Sequence, residues 1–71
     1  MNRYLIIVEK TASGYSAYSP DVPGCVAAAA TRSEVEREMH DAIAFHIEGL
    51  RAAGEEIPTP ISEASYCEVG T

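Results

Sequence analysis

Tryptophan is absent from this chain, phenylalanine occurs once, and only five of the 71 residues are lysine or arginine, against eleven aspartates and glutamates. The net charge of −6 argues against nonspecific nucleic-acid binding, because phosphates are held by clustered Lys and Arg. Cysteine occurs twice, at Cys25 and Cys67, in neither a C-x-x-C pair nor a metal-ligand spacing; both read as reduced, half-buried strand residues. The apolar run inside MNRYLIIVEK is too short for a signal peptide or a membrane span, which points to the cytoplasm. The five glycines are dispersed and make no phosphate loop. No Ser, Cys or Lys stands in a nucleophile motif.

What is present is organised around Tyr15–Gly24, YSAYSPDVPG. Pro20 and Pro23 fix φ and cannot donate to a sheet ladder. Asp21 can cap the turn through its side chain, and Gly24 tolerates positive φ. The corner therefore separates two strands rigidly. Before it, Arg3–Lys10 alternates, with Tyr4, Ile6 and Val8 on one face and Leu5 and Ile7 on the other, as in a strand covered on both faces. The turn Thr11–Gly14 joins it to a second strand, Tyr15–Ser19, in a hairpin. Cys25–Ala30 reads as a third strand despite four alanines, whose small side chains allow close approach of a helix or another chain.

Thr31-x-x-Glu34 and Ser33-x-x-Glu36 each offer a capping box for the helix that follows. That helix runs to about Ala53, with Gly54 as its left-handed terminator. Val35, Met39, Ala42, Ile43, His46, Leu50 and Ala53 form one apolar stripe. Glu34, Glu38, Asp41 and Glu48 lie off it with Arg37 and Arg51, making an acidic solvent side. Ile57-Pro58-Thr59-Pro60 is a stiff exit, and Ala64–Val69 reads as a last strand. The expected fold is α+β, ordered β-β-β-α-β, in which an antiparallel three-stranded meander and a C-terminal strand are covered on one face by one long helix. Residues 1–71 form a single domain. A chain this short buries only about 60% of its unfolded surface, so a homodimer or higher homo-oligomer is expected, with the uncovered sheet face as its surface.

Catalytic chemistry is hard to find. His40 and His46, six residues apart, point in different directions from one helix and cannot share a metal; both read as packing or interface residues. A two-metal nuclease would need several converging carboxylates, and Asp21, Glu9 and Glu68 are the only strand or corner acids available for it. Tyr15 and Tyr18 read as strand-packing residues. Phe45 projects among the charges of the helix, either as an ordinary exposed aromatic or as an anchor for a partner.

Taken together and in this order, Tyr15-x-Ala17, Pro20-Asp21-Val22-Pro23-Gly24-Cys25, Thr31-x-x-Glu34, Leu50-x-x-x-Gly54 and Ile57-Pro58-x-Pro60 resemble the HicB antitoxin family along nearly the whole chain. The resemblance implies a partial RNase H-like fold and the antitoxin of a type II toxin–antitoxin pair. It implies as partner a small basic HicA-like toxin, an mRNA-cleaving ribonuclease, inhibited by occlusion and not by any catalysis here. No cofactor or metal is implied. Ala29-Ala30 stands where many members have Gly and an acidic or polar residue. No basic helix follows the last strand, so the C-terminal DNA-binding domain of longer members, and direct DNA binding, are not carried over. Asp21, Glu34, Glu38, Asp41 and Phe45 are the candidate partner contacts. The alternatives are an orphan oligomeric binding module without a toxin and a residual RNase H-like nuclease using Asp21 and Mg²⁺.

Overall fold

In the computed structural model, which describes residues 2–71, three strands and one helix follow in the order β1 (Ile7–Lys10), β2 (Tyr15–Tyr18), β3 (Val26–Ala29) and α1 (Arg32–Ala52). The strands form an antiparallel meander, β1-β2-β3, in which Val8 faces Ala17 and Ala17 faces Ala27. Residues on the helix-facing side of the sheet (Val8, Tyr15, Ala17, Ala27, Ala29) join Val22, Cys25, Val35 and Met39 in the core. Because side chains alternate with period two, Ile7, Tyr18 and Val26, aligned across the three strands, fall on the opposite face. There Tyr18 and Val26 are exposed.

The corner is built as two successive turns. Val22 N–H donates to Ser19 C=O at 3.3 Å and Cys25 N–H to Val22 C=O at 3.2 Å. In the second, Pro23 precedes Gly24 at φ +88°, the signature of a type II turn. The hairpin turn closes as read, with Thr11 N–H donating to Gly14 C=O at 2.8 Å. Of the two possible helix starts, the chain uses Thr31: Glu34 N–H donates to Thr31 Oγ1 (3.1 Å), and that hydroxyl donates to Glu34 Oε1 (2.8 Å). At the other end Gly54, at φ +72°, donates to Arg51 C=O and Glu55 N–H donates to Leu50 C=O. These two bonds are those of a Schellman terminator.

Four expectations are corrected. The first strand is shorter than Arg3–Lys10, because in this register Leu5 would face Pro20, which has no N–H to give. Ser19 substitutes with its hydroxyl, donating to Leu5 C=O at 2.8 Å. The C-terminal strand Ala64–Val69 is not formed: the segment joins no strand among the described residues, and Tyr66 and Val69 are 96% and 72% exposed. A strand without a ladder partner has no hydrogen bonds to offset its ordering. Cys25 is buried just ahead of β3, its Sγ 3.8 Å from Ala42 C=O, whereas Cys67 is exposed, and both are free. Burial pushes the Cys25 thiol pKa up. Finally, Ala53 is exposed at the helix end, while Ile47, outside the expected stripe, is half-buried.

Candidate protein-binding surfaces

Helix α1 presents three different faces. At about 100° per residue, its core stripe (Val35, Met39, Ala42) is flanked by a second stripe roughly a third of a turn to one side and a third roughly a third of a turn to the other. The first flank is an acidic line: Glu34, Glu38, Asp41, Phe45 and Glu48 follow at spacings of four, three, four and three. Four of the five candidate contacts are therefore brought together. Glu34 is half-buried and occupied by the helix cap, which leaves Glu38, Asp41 and Glu48 as its exposed acids. Phe45, 80% exposed, sits between Asp41 and Glu48. An apolar ring set among carboxylates suits a basic partner that also offers an apolar pocket.

The fifth candidate, Asp21, does not join them. Its carboxylate accepts three hydrogen bonds from the exit segment: from Ile61 N–H at 3.0 Å, Ser62 N–H at 2.8 Å and Ser62 Oγ at 2.8 Å. The Tyr4 hydroxyl donates to Pro58 C=O at 2.7 Å. Together these tie residues 58–62 across the end of the sheet as a strap. The bonds from Ser62, backbone first and then hydroxyl, hold the Asp21 carboxyl below its ordinary pKa. Asp21 is thus a latch for the strap, not a cap of its own turn.

The sign of the pH effect follows. A depressed folded-state pKa means the latch contributes fully above the unfolded carboxylate value, about 3.9, and is lost as pH falls through the lower folded value. Amide exchange should show it: Ile61 and Ser62 should lose protection in acid, and in Asp21→Ala at neutral pH, while the β1–β2 ladder stays protected. Equal protection of Ser62 in Asp21→Ala would remove the latch.

The third face of α1 was not legible beforehand. His40, Ala44, Ile47 and Arg51 line an open groove of about 750 Å³, completed by Ile43, by Ile57 and by Asn2, Arg3, Tyr4 and Ile6. Tyr4, Ile6, Ile43, Ile47 and Ile57 make its lining largely apolar, and two of the chain's five Lys and Arg residues, Arg3 and Arg51, line it as well. The acidic and cationic faces lie on opposite flanks of one helix. Among the described residues, no group of three or more His, Cys, Asp or Glu could hold a metal, so Asp21, Glu9 and Glu68 are not gathered. No helix among them is long and apolar enough to cross a membrane.

Three antiparallel strands and one capped helix define a small α+β domain. The family model of the HicB-like antitoxins of bacterial toxin–antitoxin systems matches residues 4–68, and the chain belongs to that family. It is also similar to an uncharacterized 14.9 kDa protein in the rep-hol intergenic region of Haemophilus phage HP1 (strain HP1c1). The two are 47% identical over 55 residues, covering 78% of this chain and 41% of the phage protein. The chain thus spans about two fifths of that relative's length. Among solved structures it resembles a chain of a HicA3 and HicB3 toxin-antitoxin complex, with a TM-score of 0.70 and 35% identity, covering 84% of this chain and 70% of that one.

Proposed function

We propose that this chain is the antitoxin of a type II toxin–antitoxin pair, and that it neutralises a small basic HicA-like ribonuclease in the cytoplasm by covering the toxin's RNA-binding surface with the acidic line of α1. Family membership and the likeness to a toxin–antitoxin complex support the antitoxin role. The observation that carries the occlusion reading is the line itself: Glu38, Asp41, Phe45 and Glu48 all exposed in one row of a chain of net charge −6. Carboxylates opposite the cations that would otherwise hold RNA phosphate speed encounter and fix orientation, and a central aromatic supplies the buried anchor. The antitoxin family points to a non-catalytic role, and the carboxylate of Asp21 is already committed to the strap.

Pull-down of the tagged chain from its native cell, with the bound protein identified by mass, provides the toxin. Titration calorimetry then tests the surface. Phe45→Ala should weaken binding by about 2 kcal/mol, roughly thirtyfold. Glu38→Lys with Asp41→Lys should slow association and invert its salt dependence. The same charge change at Glu55 and Glu56, off the line, should do much less. Unchanged affinity in both line variants would remove this face. Recovery of the chain with no basic partner would favour an orphan module instead.

A further inference from the structure

We infer that the cationic groove beside α1 is a binding site for a single-chain aliphatic carboxylate, with the carboxylate held by Arg3 and Arg51 and the alkyl chain laid along the isoleucines. The first observation is the charge of the lining. Of the ten residues that form it, none is Asp or Glu, in a chain with eleven such residues among 71. Arg3 and Arg51 are both exposed, and the salt bridges among the described residues, Arg32–Glu36 and His40–Asp41, leave both guanidinium groups out. The second observation is where the two arginines stand. β1 and β3 run parallel, each antiparallel to β2, and α1 follows β3 and packs back over the sheet. The start of the chain therefore lies at the C-terminal end of the helix, where the Tyr4 hydroxyl reaches Pro58. Arg3 and Arg51 thus share one end of the groove. Gly54 and Glu55 N–H cap the carbonyls of the last helical turn there, so the residual negative end of the helix dipole is small beside two cations.

The rest of the lining selects the body of the ligand. Ile43, Ala44 and Ile47 follow one another along α1 between His40 and Arg51, a stretch of about 16 Å, and Ile6 and Ile57 line the same space. An extended chain advances about 1.2 Å per bond, so roughly ten to twelve carbons match that length. The hydrogen-bonding side chains other than the arginines are already engaged: His40 with Asp41, and Asn2 with the Tyr4 hydroxyl, which in turn donates to Pro58 C=O. A peptide would need partners for its own N–H groups. The Arg3–Ile6 stretch is flanked by the chain's own Ser62–Ala64, so no free sheet edge receives one there. A carbon chain needs no such partners. The net charge of −6 does not forbid an anion, because at physiological salt charges are screened beyond about 8 Å. The groove lies on the flank of α1 away from the acidic line. This inference does not rest on the antitoxin reading, and its failure would leave that reading in place.

Titration of the full chain with sodium octanoate, decanoate and dodecanoate, each below its micellar concentration and followed by amide and methyl NMR shifts, tests the site. The shifts should localise to Ile6, Ile43, Ile47 and Ile57, and affinity should rise about two- to fourfold for each added methylene. Arg3→Gln with Arg51→Gln should weaken decanoate binding roughly tenfold or more and leave decanol binding unchanged. Ala44→Glu, at an exposed helical position, puts a carboxylate in the groove and should abolish decanoate binding, with circular dichroism to confirm that the helix is kept. Arg32→Gln with Arg37→Gln, an equal charge change outside the groove, should leave decanoate affinity as it is. No binding, decanoate binding that ignores the Arg3 and Arg51 changes, shifts spread over the whole surface, or association only with micelles or lipid vesicles would each overturn the proposal.

Discussion

Met39→Ala should leave the chain largely unfolded at 25 °C. Met39 is fully buried, with Val22 and Val35 as the other fully buried side chains, so it lies where the corner, the sheet and the helix meet. Truncating a buried methionine costs about 2–5 kcal/mol, the lost transfer energy plus a cavity the surroundings only partly fill. A core of this size rarely supplies more than about 3–5 kcal/mol in total. The loss is therefore comparable to the whole margin. Met39→Leu, which conserves volume, should cost less than about 1.5 kcal/mol. Urea denaturation followed by far-UV circular dichroism separates the two, provided protomer concentration is held fixed, because association stabilises a folded chain by mass action. A Met39→Ala midpoint close to wild type would mean that another part of the chain carries the core.

How much of this was legible depends on how local each feature is. The corner could be read because Pro23 and Gly24 specify their own φ, and both turns form. The helix end could be read because Gly54 is the terminator and its two hydrogen bonds involve neighbours. The helix start was narrowed to two residues, and only the geometry at Thr31 decides between them. The role of Asp21 was not legible, since its partners lie 40 and 41 residues away and nothing in PDVPG points to Ser62. The last strand was misread for a related reason. Alternation within Ala64–Val69 shows that the segment can be a strand, but a strand exists only where an edge receives it. The acidic line follows from helical periodicity alone. The cationic groove does not, because Arg3 and Arg51 stand 48 positions apart in sequence and meet only through the fold.

Gly14→Ala should destabilise the domain by about 1–3 kcal/mol, the usual cost of forcing atoms into filled space, although alanine is the smallest possible change. A Cβ at position 14 would lie 2.3 Å from Ala29 C=O, 3.1 Å from Ala30 Cα and 3.2 Å from the Ala29 carbonyl carbon. All three are backbone atoms, so no side-chain rotation relieves the clash, and the end of β3 must move. That end leads directly into Thr31, the cap of α1. The hairpin turn and the helix start are thus joined at a glycine, and displacing one tilts the other. Because α1 carries both the acidic line and the groove, the same variant should also weaken whichever partner each face takes. Gly49→Ala is the matching control. It lies within α1 with nothing within 4 Å of its added Cβ, and it should raise stability by about 0.4–1 kcal/mol through helix propensity. Opposite signs for two chemically identical substitutions would locate the constraint at the Gly14–Ala29 contact, whereas a stable Gly14→Ala would mean that the hairpin and α1 are not coupled there.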